Sequence, residues 1–280
     1  MRNFAFLFLI VITVFAYSCK KEDKNTSVDY QYGVKMTSDY ANVQHLLINL
    51  SSSYFKVIYD SVLFEDGHNT IDQAYVVYNT DSLYQLTITY PEWGNDDGYG
   101  NWRQGQLRFK ADSGFFNTDY PVEVFFAEFN MDKDTIRASS YKYSYLSETD
   151  GVSTFNLKVI DGSRSFEDTT GVINFNADFN IKVDLSAYST YQTPYNLYFS
   201  GSINGNCRAE NNFSAQLLED VIYDLNCNWM KQGLVDIVFD GVDYTGTINY
   251  SDPELCENWY KLSINEISFP SKIIKPKWSK

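Results

Sequence analysis

The sequence predicts an all-β protein, an antiparallel meander with one short helix near the N-terminus. Aromatic residues make up 17% of the chain, including 23 Tyr and 20 Phe, and such residues favour strands. Six Asp-Gly or Asn-Gly pairs, beginning at positions 66, 97, 150, 161, 204 and 240, are typical of turns between antiparallel strands. No long crossover helix is evident, which argues against a parallel sheet. We therefore expect one extended, rolled or sandwiched sheet.

The first eighteen residues predict an export signal. Arg2 precedes an apolar run over residues 4–15, broken only by Thr13, and this run is shorter than the roughly 20 residues that span a bilayer. A charged start, a short apolar core and small residues describe a secretory signal. Cys19 follows directly, as in a bacterial lipoprotein signal, so we expect residues 1–18 to be removed and Cys19 to be acylated. The alternative is a plain signal peptide with an incidental cysteine.

Residues 19–34 are expected to form a flexible tether, and residues 35–280 a single β-rich domain. The stretch 20–27 is charged and polar and has no apolar residue to bury. Glu22 and Asp23 resemble the acidic surface-export signals of Bacteroidota lipoproteins, while a simple solvated spacer explains the stretch as well. The predicted location is the outer membrane, lipid-anchored and at the cell surface.

The charge of the chain excludes two kinds of partner. The net charge is −14, and removal of Arg2 with the signal makes it −15. Nucleic acids and anionic membrane surfaces both attract basic patches. We therefore expect no nucleic-acid partner. The partners that remain are the membrane, through the lipid anchor, and a glycan or protein ligand.

One helix is predicted over residues 38–54. An apolar stripe recurs at helical spacing, and its members are Tyr40, Val43, Leu47, Leu50 and Tyr54. Ser38 suits the N-cap position, with Asp39 in the first turn. His45 lies off the stripe and is expected to be solvated.

Strands follow to the end of the chain. The expected strands cover residues 71–78, 83–90, 104–110, 122–129, 155–159 and 173–183, with a glycine-containing loop at 91–101. In the stretch 173–183 apolar and polar residues alternate throughout, so one face should be buried and the other wet.

Two segments resemble an uncharacterised family of Bacteroidota surface lipoproteins, over roughly residues 80–270. They comprise Leu86-Thr-Ile-Thr-Tyr90, Asp97-Gly98, Arg103, Gly105, Leu107 and Phe109, and then Phe199-Ser-Gly-Ser-Ile-Asn-Gly205, Phe213, Cys227-Asn-Trp229, Gly233, residues 235–239 and Cys256-Glu-Asn258. The resemblance implies an all-β fold and a surface location, and it implies no reaction, because the family has no known activity.

No catalytic motif is present. The chain lacks a Gly-x-Ser-x-Gly elbow, His-Glu-x-x-His, a P-loop and Cys-x-x-Cys, and it has 2 His. The acidic loops 95–97 and 130–134 fit polar turns better than calcium sites. We expect no catalytic residue, cofactor or metal, and hence a structural or ligand-binding protein rather than an enzyme. The alternative is a glycosidase-like hydrolase with two carboxylates on a β scaffold.

Trp93 and Trp102 are the candidate ligand-binding residues. They flank the glycine-containing loop 91–101, and an indole ring can stack on a sugar or another flat ligand. The competing interpretation is that both rings pack over an edge of the core, as aromatic residues at strand ends commonly do.

A disulfide between Cys227 and Cys256 is the first testable prediction. Asp240-Gly241 indicates a two-residue turn, whose register pairs Phe239 with Val242 and places Cys227 opposite Glu254. A bulge near Gly233 or a loop at Asp252-Pro253 would absorb the offset of two residues. Export permits oxidation, and the family resemblance has cysteines at the same places. Cys207 would remain a buried thiol. Peptide mapping without reductant should give a linked Cys227–Cys256 peptide; a bond from Cys207 to either cysteine contradicts the prediction.

Overall fold

A computed structural model describes residues 30–80, 83–98, 100–184, 196–225, 229–243, 245–251 and 259–272. Its helices are α1 (Tyr30–Ile58) and α2 (Ser61–Asp66). Its strands are β1 (His68–Ile71), β2 (Ala74–Asn79), β3 (Tyr84–Asp96), β4 (Trp102–Ala111), β5 (Val122–Met131), β6 (Asp134–Arg137), β7 (Ser140–Thr149), β8 (Val152–Ser165), β9 (Val172–Asp184), β10 (Asn196–Asn206), β11 (Asn212–Asp224), β12 (Trp229–Phe239), β13 (Thr245–Asn249), β14 (Trp259–Ile264) and β15 (Ile267–Lys272).

All fifteen strands belong to one antiparallel sheet, which confirms the predicted all-β class. Each strand lies next to its predecessor in the chain, with one exception: β6 and β7 lie end to end between β5 and β8. Side chains of β9 alternate between buried and accessible positions along its length, as the sequence pattern predicts. The meander is therefore continuous from β1 to β15.

The sheet is rolled around α1. Tyr54 stacks on Phe109 of β4 and on Tyr143 of β7, with ring centroids 5.2 Å and 4.2 Å apart. Farther along the sheet, the helix contacts β9, β13 and β14. Because one helix contacts strands from β4 to β14, the sheet must curl about it.

The helix differs from the prediction in length and in environment. It begins at Tyr30 rather than at residue 38, ends at Ile58 rather than at residue 54, and takes up the last residues of the predicted tether. Ser38 is not its cap, because the Ser38 hydroxyl donates to the carbonyl oxygen of Val34 inside the helix. The prediction of a solvated His45 is wrong, since its side chain is buried. The apolar stripe predicts that one face of the helix is buried, whereas the surrounding sheet buries every face of it from Met36 to Phe55.

Buried ion pairs connect the helix to the sheet. Asp39 of α1 binds Arg208 in the β10–β11 turn at 2.6 Å, and both side chains are 0% exposed. Arg164 of β8 binds Asp134 of β6 at 2.8 Å and donates to the carbonyl oxygen of Asn42 in α1. These contacts satisfy charges that would otherwise be costly inside an apolar core.

The Asp-Gly and Asn-Gly pairs form fewer hairpins than predicted. Asp150-Gly151 makes a two-residue turn with positive φ at both residues, whereas Gly67 caps α2 and Asn204-Gly205 lies inside β10. Two-residue turns also form at Asp72-Gln73, Asp132-Lys133 and Asn265-Glu266, all with positive φ. Asp and Asn at the first position tolerate the left-handed region, and Gln73, Lys133 and Glu266 adopt it at the second position, where glycine is more usual.

The β12–β13 hairpin has a different register from the one predicted. Val235 pairs with Ile248 and Val238 with Thr245, so partner numbers add to 483 rather than 481. The observed ladder ends at the Val238–Thr245 pair, and its register is shifted by two residues from the one expected for a turn at Asp240-Gly241. Cys227 and Cys256 lie outside the described residues, and their disulfide stays a prediction.

Burial of His45 predicts a pH-dependent stability. Burial first, and then the charges of Arg164 and Arg103, lower the pKa of His45 from 6.5 to about 3. Above pH 6.5 the side chain is neutral in the folded and the unfolded chain. Below that pH only the unfolded chain takes up the proton, so the free energy of unfolding should fall by about 1.4 kcal/mol per pH unit from this group.

Urea denaturation between pH 7 and pH 4 measures this effect. His45→Gln should lose less stability over that interval than the wild type, because it has no imidazole to protonate. His68→Gln, at an accessible position of β1, should retain the wild-type difference. Equal pH dependence in His45→Gln and the wild type would contradict the burial argument.

Asp39→Asn should destabilise the fold strongly. It leaves the buried Arg208 guanidinium without its carboxylate, and breaking one side of a buried pair costs about 3–5 kcal/mol. Glu167→Gln is the matched control: Glu167 and Lys133 are 3.9 Å apart with side chains 60% and 59% exposed, so its effect should stay below about 1 kcal/mol. Denaturant midpoints of the two variants, each compared with that of the wild type, measure the two losses of stability.

Candidate functional site

The two candidate tryptophans differ in exposure. Trp93 lies on β3 with 81% of its surface exposed, the largest value among the exposed apolar side chains of the described residues. Trp102 begins β4 and is half-buried, with its ring against Gly94. A Cβ on Gly94 would lie 1.7 Å from that ring, and the residue has a φ of +79°. Trp102 therefore packs against the hairpin, and Trp93 alone projects into solvent.

Buried polar contacts fix the β3–β4 hairpin that carries Trp93. Arg103 binds the carboxylate of Asp97 at 2.8 Å and donates to the hydroxyl of Ser53 in α1 at 2.6 Å. The Asn101 side-chain amide donates to the Asp97 carboxylate and to the side-chain oxygen of Asn49 in α1. The hairpin is thus attached to the central helix, and the position of Trp93 follows from that attachment.

A row of polar side chains, two amides and one hydroxyl, crosses the outer face beside Trp93. Gln104 of β4 donates to the carbonyl oxygen of Glu92, the residue before Trp93. Asn130 of β5 donates to the Gln104 side chain at 3.5 Å, and Thr135 of β6 donates to Asn130 at 3.0 Å. We call these three side chains the amide row. It leads from Trp93 across three adjacent strands.

The acidic loops considered for calcium bind arginines. Asp97 pairs with Arg103, and Asp132 and Asp134 both pair with Arg164. Asp96 accepts from the backbone of Gly98 at 2.7 Å, which is an ordinary turn contact. These carboxylates are therefore structural partners of the sheet.

A slit opens in the sheet next to the amide row, between β5 on one side and β6 and β7 on the other. The strands pair at Asn130–Thr135 and Met131–Asp134, and again at Val122–Tyr143 and Glu123–Lys142. The residue numbers of each pair add to 265 at both ends of the slit. The two borders therefore have the same number of residues between the two ladders. The six pairs between them, residues 124–129 and 136–141, form no ladder. We call this opening the β5–β7 slit.

Two bulges flank the β5–β7 slit. On one side β4 and β5 change register at Gly105, whose φ is +85°, opposite Glu128 with a φ of +50°. On the other side β8 and β9 change register between Val159 and Gly162. Because bulges bend strands, they account for the separation of strands whose register is continuous.

The β5–β7 slit has an aromatic floor and a charged rim. It encloses a cleft of about 480 Å³. The rings of Phe126 and Tyr141 meet edge to face across it, with centroids 5.5 Å apart. Burial raises the pKa of Tyr141 well above its ordinary value, so its hydroxyl stays neutral. Phe125 is 44% exposed beside the floor.

A second cleft of about 530 Å³ lies on the outer face of β9–β11 and is lined by amides. Its polar lining comprises Asn174, Asn176, Asn204, Asn206, Asn212, Ser214, Asp161 and Asp240. The two carboxylates belong to β8 and to the end of β12, with three strands between them. At roughly 4.8 Å per strand their backbones are roughly 19 Å apart measured along the sheet, whereas the paired carboxyl groups of a glycosidase are about 5–9.5 Å apart.

Sequence reasoning missed both clefts. The stretch 122–129 is predicted as an ordinary strand, and its pattern of apolar and polar residues does not indicate that its pairing with the next strand is interrupted. The amides of β9 were assigned only to a wet face. The signal that could have helped is Gly105, which lies inside a strand pattern where an isolated glycine indicates a bulge.

Of the four cysteines, the structure describes one. Cys207 is a buried thiol, as expected, and burial raises its pKa. Cys19 lies outside the described residues, as do Cys227 and Cys256. Within the described part of the chain, neither helix has the length and apolar character needed to cross a membrane.

Comparison with known protein families, curated proteins and solved structures found no match for this chain.

Proposed function

We propose that this protein is a lipoprotein of the outer membrane, displayed at the cell surface and anchored through acylated Cys19. The support is the order of elements at the N-terminus: a short apolar run, small residues, a cysteine, and then a polar stretch. The resemblance to Bacteroidota surface lipoproteins agrees with this location. The folded part would then be held near the membrane by the segment that leads into α1.

The folded part binds a glycan on the outer face around Trp93, without a catalytic role. The observation that carries this proposal is the combination of an 81% exposed indole with the amide row on adjacent strands. An indole face stacks on the apolar face of a sugar ring, and amides both donate to and accept from hydroxyls. The attachment of the hairpin to α1 through Arg103 holds this surface in place before a ligand arrives.

Replacing Cys19 tests the anchor. Cys19→Ala removes the single attachment point, so the protein should move from the membrane fraction to the soluble fraction. Cys207→Ala, at a buried thiol within the fold, is the matched cysteine control and should stay with the membrane. A Cys19→Ala protein that remains membrane-bound after a salt wash would rule out the lipid anchor.

Replacing Trp93 tests the glycan site. Calorimetric titration with soluble pentasaccharides of gluco, manno and xylo configuration should show binding by at least one of them. Trp93→Ala should weaken that binding about tenfold or more, because burying one large apolar side chain contributes about 1.5–3 kcal/mol. Trp259→Ala removes a 39% exposed indole on β14, at the far side of the sheet, and should bind as the wild type does.

Two results would contradict this site. The first is wild-type affinity in Trp93→Ala. The second is an absence of binding to every pentasaccharide at millimolar concentration. Asn130→Ala provides a further check, because loss of the central member of the amide row should weaken binding without changing the exposure of Trp93.

A further inference from the structure

The β5–β7 slit is a stretch of interrupted ladder within a continuous sheet. On the sides that face away from the slit, both borders form ladders with their other neighbours. Residues 124–127 of β5 pair with β4, and β6 and β7 pair with β8. Towards the slit neither border has a ladder partner over six residues, all of which the structure describes. The slit is therefore an internal strand edge on both sides.

Strand edges of this kind present backbone hydrogen-bonding groups. In an antiparallel strand alternate residues direct their N–H and C=O groups toward the same neighbour. On β5 residues 124–127 keep this alternation towards the slit, whereas Glu128 interrupts it with a φ of +50° and its carbonyl oxygen accepts from the Asn130 amide. On the other border residues 136–137 and 140–141 lie in strands, and between them the Ser139 N–H donates to the carbonyl oxygen of Ile160 on the side away from the slit. An extended peptide is the ligand whose own alternating groups match such an edge.

The dimensions suit a short extended segment. Six residues of strand span roughly 20 Å, and the cleft of about 480 Å³ lies within the usual range for binding sites. Phe126 and Tyr141 close the slit on the core side. A peptide therefore enters from the outer face and cannot reach the helix.

The charges around the β5–β7 slit differ in sign from the chain as a whole. The chain carries a net charge of −14. The slit and the outer face of adjacent β4 carry four cations, Arg108, Lys110, Arg137 and Lys142, against two carboxylates, Glu123 and Glu128. Lys142 pairs with Glu123 at 2.6 Å, so the positive excess comes from the other three cations against Glu128. Lys110 lies over the ring of Phe125 at 5.2 Å, and Arg137 is exposed. An acidic segment complements this local excess of positive charge.

We propose that the β5–β7 slit binds an extended acidic peptide segment of a partner protein, which adds as a strand between β5 and the β6–β7 pair. The strand runs antiparallel to one border and parallel to the other, since the borders are themselves antiparallel. This site adjoins the glycan surface at Asn130 and Thr135, where the slit closes, and its binding does not require the indole of Trp93.

Hydrogen exchange read by mass spectrometry tests the proposal on the wild-type protein. The probe is a pool of end-blocked heptapeptides that alternate Val or Tyr with Glu. At millimolar concentration it should slow exchange about fivefold in residues 124–129 and in residues 136–141 together, because both borders gain hydrogen bonds. The β9–β10 ladder should exchange at the same rate with and without peptide.

Matched probes and variants separate a backbone ladder from other modes of binding. The same pool N-methylated at alternate residues should give no protection, and a pool with Lys in place of Glu should protect less. Arg137→Glu should weaken binding about fivefold, whereas Lys261→Glu, exposed on β14, should not change it.

Three results would overturn the proposal. One is protection of only one border, and another is equal protection by the N-methylated pool. The third is protection by an acidic oligogalacturonate but not by the peptides, which would assign the slit to an anionic glycan. Protection of both borders by the unmethylated acidic pool alone supports strand addition.

Discussion

The buried polar surface of α1 is the constraint on which the arrangement of the sheet depends. The helix carries ten buried polar side chains, Thr37, Ser38, Asp39, Asn42, Gln44, His45, Asn49, Ser51, Ser52 and Ser53. Buried polar groups are costly unless they are paired, and the surrounding sheet supplies many of the partners. Arg208 reaches Asp39, Arg164 reaches the Asn42 backbone, and Arg103 reaches Ser53. We infer that these arginines contribute to a specific closure of the roll more than to net stability, since buried ion pairs gain little over an apolar core.

This arrangement leaves the outer face of the sheet for binding. The inner face is occupied by α1 and by stacked aromatic side chains such as Tyr54 and Tyr143, so a ligand cannot enter without unfolding. The β3–β4 hairpin has a buried base and an exposed Trp93, and the β5–β7 slit has an aromatic floor and open backbone edges. In both places, a rigid interior supports an accessible polar surface.

Part of the fold was predictable because it depends on local pattern. Alternation along β9 correctly indicated one buried and one wet face, and the aromatic content correctly indicated a sheet. Other local signals failed for identifiable reasons. Ser38 has the chemistry of a cap, but the helix extends towards the N-terminus beyond it, because Met36 is buried and Tyr32 and Val34 pack against the core. Asp161-Gly162 has the sequence of a hairpin turn, yet it forms a bulge in β8 because strands continue on both sides.

The amino-acid sequence by itself determined the all-β class, the antiparallel order of strands and the choice of Trp93 as a candidate, because alternation, turn residues and an aromatic beside glycines are local features. Tertiary structure alone decided that the sheet rolls around the helix, that His45 is buried, and that Trp102 packs on Gly94. It also decided the β5–β7 slit and the amide-lined cleft. These features arise where distant segments meet, and the energies that decide them, desolvation of charges and the bending of strands at bulges, depend on neighbours far apart in the chain.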